Sequence, residues 1–396
     1  MIIGGSMSGL LAAIMLQRRG WDVDVFERVE SELAGRGAGI VAQGELIAQL
    51  SALGLDVRDL GVEISTRRLL DRAGRLTDTL QCPQVLTAWE RVYRILRDAF
   101  PGDRYHRGHA LTAFAQTASG VVASFNNGGT ALGDVLIGAD GLRSTVRHQC
   151  LPAVAPVYAG YVAWRALIPE AALPAEIKRE LVDAMTFCLP PGEQFLGYPV
   201  AGPDNDLRQG HRRYNIVWYR PADEARELPW LLTDETGALH SISIPPPLIR
   251  RDAIVAMREA AERLLAPQLR TVVRLIDEPL LQPIYDLASP QLAFGRVTII
   301  GDAAFVARPH VAAGVSKAAD DAAALAAALD EGDVGDSLQC YEAERLPEGH
   351  RIIERARHLG AYLQASQSAE EMQRSARHGI PQAVLAETAR IDFLYG

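Results

Sequence analysis

The chain has 396 residues, too many for one ordinary hydrophobic core, so two or three domains are expected. Hydrophobic residues at 48% and charged residues at 22% are proportions of a globular protein, which sets aside disorder and fibrous repeats. A net charge of −9 argues against nucleic acid as the main partner, because phosphate binding needs a basic face.

The first element is a short strand at Met1-Ile2-Ile3, below the ~5 residues typical of a buried strand, which leaves room for a native start further upstream. A glycine turn follows, Gly4-Gly5-Ser6-Met7-Ser8-Gly9, and then a helix from Leu10 to Arg19 that Gly20 ends. Residues 21–27 alternate polar and apolar like a strand. Together they make a βαβ unit. A glycine-rich loop is expected at 35–39 and a helix at 44–52. Residues 66–80 read as a hairpin turning at Ala73-Gly74, and 88–100 as a helix; strands are expected at 121–125 and 134–138.

From about 155 to 250 the texture changes. Pro, Tyr and Trp become commoner, and short strands at 160–167, 195–200 and 214–219 replace the β/α rhythm, as in a separate, mostly β domain. A helix is expected at 251–266, a parallel strand at 296–301, a helix at 315–329 and mainly helical sequence at 336–368. No run reaches the ~18 apolar residues of a membrane helix. The four cysteines (82, 150, 188 and 340) are too scattered for a metal cluster or disulfide framework, and no signal peptide precedes the opening turn. A cytoplasmic protein with reduced thiols and no metal is expected.

The opening turn carries the first chemistry. Gly4 makes the tight bend and Gly9 lets helix and strand approach, so that free N–H groups at the helix start can meet a pyrophosphate. Ser6 stands where the middle glycine of G-x-G-x-x-G is usual; it is small, and its hydroxyl can itself reach phosphate. Glu27 ends the next strand at the spacing where an acid holds ribose hydroxyls, which favours an unphosphorylated ribose. Two more segments end an apolar strand in an aspartate: Asp134-Val135-Leu136-Ile137-Gly138-Ala139-Asp140-Gly141, and Gly295 to Asp302. Each aspartate either accepts hydroxyls of a ribose or ribitol, or caps the following helix.

These segments resemble the signatures of the class A FAD-dependent aromatic hydroxylases: Asp140-Gly141-x-x-Ser144-x-Val146-Arg147, Gly301-Asp302-Ala303-Ala304, and matching stretches at 1–50, 134–147 and 295–329. Within that family, Gly4-Gly5-Ser6-x-Ser8-Gly9-Leu10, the 158–165 segment with Trp164-Arg165, and Arg308-Pro309-His310-x-Ala312-Ala313-Gly314 are similar to the hydroxypyridine hydroxylases. The resemblance implies an α/β fold of the para-hydroxybenzoate hydroxylase type: a Rossmann-like FAD-binding domain (1–65, 82–153 and 283–335) interrupted by a mostly β substrate domain (66–81 and 154–282), with C-terminal helices (336–396). It also implies that Gly4, Gly5, Ser6, Met7, Ser8 and Gly9 wrap the FAD pyrophosphate, that Glu27 and Arg28 meet the adenosine ribose, and that Asp302 after Gly301 holds the ribitol. Pro309, Gly314, Val315 and Ser316 would lie against the flavin ring, with Gln43 and Leu111 among the further FAD contacts. Asp140 would line the path of the flavin and of a transient NADH or NADPH. Three positions depart from the family pattern: Phe305 for a common His, Ala312-Ala313 for Gly-Gln, and Trp89 for an Arg.

The implied reaction is hydroxylation of an electron-rich hydroxylated ring, a hydroxypyridine foremost, with NAD(P)H and O₂, through oxygen carried at flavin C4a. Rivals on the same scaffold are a monooxygenase or epoxidase fed by a separate reductase and a catalytically silent FAD-binding regulator; the halogenase Trp-x-Trp-x-Ile-Pro signature is absent. Substrate-pocket candidates are Tyr161, Trp164, Arg165, Tyr198, His211, Tyr214, Trp218, Tyr219 and His310, aromatics that either sandwich a ring or pack a sheet. Of these His310, Tyr161, Tyr214 and His211 are the catalytic candidates, with His310 foremost because it adjoins the flavin-loop proline. The partners are then a small aromatic molecule and O₂, and a homodimer is a family-level expectation.

Overall fold

The computed structural model describes residues 1–33, 39–330 and 332–394. Of the glycine-rich loop expected at 35–39, only Gly39 lies within them. A six-stranded sheet is ordered Ala293–Phe294, Val297–Ile299, Leu136–Gly138, Ile2–Ile3, Val25–Glu27, Tyr105–Arg107. All its pairings are parallel except that of Ala293–Phe294 with Val297–Ile299. Its central strands are buried and apolar on both faces, as parallel strands covered by helices require. The Met7–Gln17 helix is apolar almost all round and is buried against the Gly314–Ala328 helix.

The strand expected at 21–27 forms only at Val25–Glu27. The polar positions before it are spent on side-chain contacts: Asp22 and Asp24 pair with Arg104, and Asp24 also hydrogen-bonds the His106 ring.

A second sheet has nine strands in the order Phe305–Val306, Leu280–Ala288, Val157–Pro169, Arg213–Pro221, Gln194–Val200, Met185–Cys188, Val62–Leu70, Leu76–Ala88, Gly39–Ala42. Strand alternation gives it two faces. Trp164, Tyr214 and Trp218 pack toward the Arg251–Leu264 and Pro267–Arg274 helices. Tyr161, Ala163, Tyr198, Val217 and Tyr219 point the other way. The expected hairpin is the inner part of a longer one, Val62–Leu70 with Leu76–Ala88, whose turn is held by the Asp71 carboxylate accepting the Ala73 and Arg75 N–H groups. Divisions of the chain at 65/66, 81/82 and 282/283 therefore fall inside strands.

Beyond the Val334–Gly360 helix, Ser368 and Glu371 cap the Ala369–His378 helix reciprocally. The chain then returns to the nine-stranded sheet. Arg67, fully buried, donates from Nη1 to the Leu385 and Thr388 carbonyls at 2.8 and 2.6 Å. Gln43 and Gln84 donate to the Ala389 carbonyl at 3.3 and 3.1 Å, and the Ala389 N–H donates to the His310 carbonyl at 2.6 Å.

Candidate active site

The opening turn is shaped by close backbone approach. Gly4 has φ +104°, and a Cβ there would sit 2.3 Å from the Ala139 carbonyl oxygen; a Cβ on Gly9 would sit 1.9 Å from the Gly4 carbonyl oxygen. Only glycine fits either position. Glu27 is buried, and its two carboxylate oxygens accept the Gly5 and Val29 N–H groups at 2.8 and 3.0 Å, so it ties the turn to the end of its neighbouring strand. Ser6 occupies the N-cap of the Met7–Gln17 helix but makes no side-chain cap bond, which leaves its hydroxyl unspent among the described residues.

The two aspartates that looked alike in sequence differ in structure. Asp140 Oδ2 accepts the Thr145 and Val146 N–H groups, and Oδ1 accepts the Ser144 hydroxyl, so this carboxylate braces the start of the Thr145–Cys150 helix. Asp302 accepts no hydrogen bond from a protein group among the described residues. Its surface is open to the cavity beside it, while protein surrounds that cavity. The desolvation raises its carboxyl above the ordinary value, Lys317 opposing and Asp321 adding to the shift.

Two cavities flank the turn and share Ser6, Trp89, Ala139 and Gly141. The smaller, about 280 Å³, is bordered by Gly4, Glu27, Arg28, Leu111 and Asp140. The larger, about 420 Å³, runs from Ser6, Met7, Ser8 and Asp302 past Pro309, Gly314 and Val315 to the nine-stranded sheet. Trp89, stacked on Tyr93 with ring centres 5.1 Å apart, stands where the two meet. The Gly314–Ala328 helix opens onto the larger cavity without a side-chain cap, so its free N–H groups and positive dipole end face that space.

His310 is 1% exposed. Its Nε2 lies 2.8 Å from the Tyr161 hydroxyl, and its ring centre lies 4.4 Å from that of Tyr219. Nδ1 is buried with no partner among the described residues. Burial, and then the Arg308 charge, lower its pKa to about 3, so the ring is neutral at physiological pH. Burial conversely holds the Tyr161 hydroxyl well above its ordinary range. Arg308 is itself paired, its guanidinium meeting both Asp286 oxygens at 2.8–3.2 Å, a carboxylate it shares with Arg357. Ala312, one of the departures from the family pattern, is left-handed at φ +49°, a strained conformation for alanine. Phe305, another, packs against Gly349 and edge-on to His350.

Some expected residues lie elsewhere. Tyr214 is on the helix-facing side of its strand with Trp218, and Trp164 shares that side, so none of the three borders either cavity. His211 is exposed, 3.5 Å from Asp206 in the loop before the Arg213–Pro221 strand. Gln43 spends its amide on the tail rather than on a cavity. Gly5, Gly9, Gly301 and Ser316 border neither cavity. Conversely, Thr388, Ala389, Gln282 and Lys317 border the larger cavity without having been singled out in the sequence. Gln282 could have been found only from strand register, and the tail residues only from the tertiary return of the chain.

The cradle that a Cβ would fill, the unspent Ser6 hydroxyl and the unpartnered Asp302 carboxylate fit an extended dinucleotide such as FAD. Comparison with known proteins agrees. Residues 2–56 match an NAD(P)-binding Rossmann-like domain, 158–286 an FAD binding domain-like family and 284–356 an FAD binding domain. The chain is 32% identical to 2,6-dihydroxypyridine 3-monooxygenase of Paenarthrobacter nicotinovorans, over 96% of this chain and 95% of the relative. The solved 2,6-dihydroxypyridine-3-hydroxylase of Arthrobacter nicotinovorans superposes with a TM-score of 0.87 at 32% identity, covering 93% of each chain. A Klebsiella pneumoniae protein solved with FAD and uric acid shares the fold, with a TM-score of 0.76 at 23% identity over 98% of this chain and 92% of that one.

Proposed function

The chain belongs to the FAD-dependent class A aromatic hydroxylases, and from that premise we propose that its substrate is a hydroxypyridine, oxygenated on a ring carbon with NAD(P)H and O₂ as co-substrates. The observation that carries this reading is the larger cavity itself. It joins the cofactor cradle to a wall of Tyr198, Tyr219 and His310, a lining suited to an aromatic ring held beside the cofactor.

When bound, FAD would supply the redox and oxygen-activating chemistry, and the chain's residues would do the rest. The Ser6–Gly9 turn and the N-terminus of the Met7–Gln17 helix bind the pyrophosphate. Glu27 and Arg28 meet the adenosine end, and Asp302 accepts the ribitol hydroxyls. The uncapped end of the Gly314–Ala328 helix, which borders the cavity, would stabilise negative charge on a bound flavin. Leu196, Val217 and Met185 keep the chamber apolar, which excludes water where oxygen transfer takes place. His310, neutral and fixed by Tyr161, hydrogen-bonds the substrate ring and orients it. Four free cysteines support work in the cytoplasm. Among the described residues, no helix is long and apolar enough to cross a membrane.

The test is to purify the protein, record its visible spectrum and follow NADH and NADPH oxidation against hydroxylated pyridines and phenols. A yellow protein whose oxidation rate jumps with one hydroxypyridine, giving a product one oxygen heavier, supports the reading. Stimulation by phenols alone would overturn the pyridine assignment.

A further inference from the structure

Arg165 is a charge without a counter-charge. It stands on the Val157–Pro169 strand, opposite Val217 and Leu280 of the neighbouring strands, and borders the larger cavity. Its Nη1 donates to Gln282 Oε1 at 3.0 Å and its Nη2 to the Gly39 carbonyl at 3.2 Å; both acceptors are neutral. Its Nε is buried with no acceptor among the described residues. A guanidinium carries five N–H donors, so two in use leave three: one on Nε and one on each terminal nitrogen. The cavity's other cations each have a carboxylate partner, Arg308 in Asp286 (shared with Arg357) and Lys317 in Asp321 (shared with Arg345), whereas Arg165 makes no ion pair among the described residues. A guanidinium held in place beside an apolar wall, with donors to spare, gains most from an anionic acceptor.

Taking the hydroxylase reading as its basis, we infer that Arg165 is an anion-receiving subsite, and that the enzyme takes its aromatic substrate as the monoanion, with an oxyanion on an azine ring or a ring carboxylate against the terminal guanidinium nitrogens. Ionised rings are also the more electron-rich, so the residue that selects the charge selects the reactive form. Among the described residues, no side chain on the sheet side of the cavity competes for that role. Burial pushes the Tyr198 hydroxyl to about 12 and Tyr219 higher still, and lowers His310 to about 3. Gln282 and the Gly39 carbonyl do not titrate. Asp302 titrates at the cofactor end of the same cavity, so on the sheet side, between these limits, the proton that changes binding is the ring's own.

The inference is tested on the FAD-loaded enzyme by titrating ligands against the flavin absorbance. The probes are 2,6-dihydroxypyridine, its carbocyclic isostere benzene-1,3-diol, which is neutral at pH 7, and 3-hydroxybenzoate as the carboxylate arm. Affinity for the dihydroxypyridine should fall about tenfold per pH unit below that ring's own pKa. Arg165→Gln should weaken the anionic ring by about 10- to 100-fold, leave the neutral diol unchanged and abolish the pH slope. Arg165→Lys should recover part of the loss. Tighter binding of the dihydroxypyridine than of 3-hydroxybenzoate identifies the ring oxyanion as the recognised group, and the reverse identifies the carboxylate. Equal loss of neutral and anionic rings in Arg165→Gln, or wild-type binding indifferent to pH across the ring's pKa, overturns the inference. The pH series needs no variant, so a misfolded Arg165→Gln does not remove the test. Oxygenation of hydroxypyridines without charge preference would defeat this inference alone, whereas oxygenation of none of them would defeat the substrate reading.

Discussion

Lys317 Nζ and Asp321 Oδ2 meet at 3.0 Å, one helical turn apart and buried, and the same carboxylate accepts the Gly301 N–H at 3.0 Å and Arg345 Nε at 3.0 Å. Burial opposes ionisation of Asp321, but the Lys317 and Arg345 charges hold it below the usual carboxylate range. The cluster therefore fixes the turn that presents Asp302. Asp321→Asn should cost about 3–5 kcal/mol of folding stability, because it strands two buried cations. Urea denaturation of the apoprotein measures this, and a variant as stable as the parent would remove the cluster from any account of the turn.

The two aspartates should separate in their effects. Asp302→Asn should weaken FAD binding by about 10- to 100-fold, the worth of charge-assisted hydrogen bonds to hydroxyls, with little change in apoprotein stability. Asp140→Ala should cost about 1–2 kcal/mol of stability through its lost helix bracing. Fluorescence titration of the apoproteins with FAD, beside their unfolding curves, distinguishes the two. Equal FAD affinity in Asp302→Asn and the parent would contradict the ribitol assignment.

His310 makes stability depend on pH in a defined direction. Folded, it titrates at about 3; unfolded, near the ordinary value of about 6.5. Between these values the unfolded chain holds the extra proton, so folded stability falls as pH drops below about 6.5, by up to about 1.4 kcal/mol per pH unit. His310→Gln should flatten the dependence of Tm on pH between about 6.5 and 4.5. Identical slopes in the two proteins would mean that the imidazole protonates in place.

In catalysis the same side chain should act on orientation. His310→Gln should lower kcat by about 10- to 100-fold, with more H₂O₂ released per NAD(P)H oxidised and FAD still bound. Tyr161→Phe should do the same more weakly, because it removes only the group that fixes the ring. If the two act as a unit, the double variant should be no worse than His310→Gln alone. Additive losses would show that the 2.8 Å contact carries no coupling.

The cofactor side was largely legible in the sequence because backbone chemistry writes itself locally. Gly4 and Gly9 mark close approaches, and a strand ending in Asp marks the edge of a parallel sheet. What sequence alone could not choose was between the two jobs open to such an aspartate. Asp140 is followed by Ser144 and a helix that needs its N–H groups satisfied, while nothing local claims Asp302. On the substrate side, the period of two groups Tyr214 with Trp218 and Val217 with Tyr219, but does not say which set meets the helices. His211 lies just before the strand, where alternation carries no information. Thr388 and Ala389 reach the cavity through Arg67, more than 300 residues away in sequence, a contact that no local pattern encodes.

The parallel sheet also sets a timetable. Ile2 pairs with Ile137, and Leu136 in turn pairs with Val297. At about 5–20 residues per second, synthesis takes about 15–60 s to bring the last of these strands out after the first. Through that interval the glycine cradle lacks the Gly301–Asp302 side of its site, and apolar strand edges stand open. Contacts this distant in sequence are slow to close, so yield in expression should depend on chaperone supply and growth temperature more than on the stability of the finished enzyme.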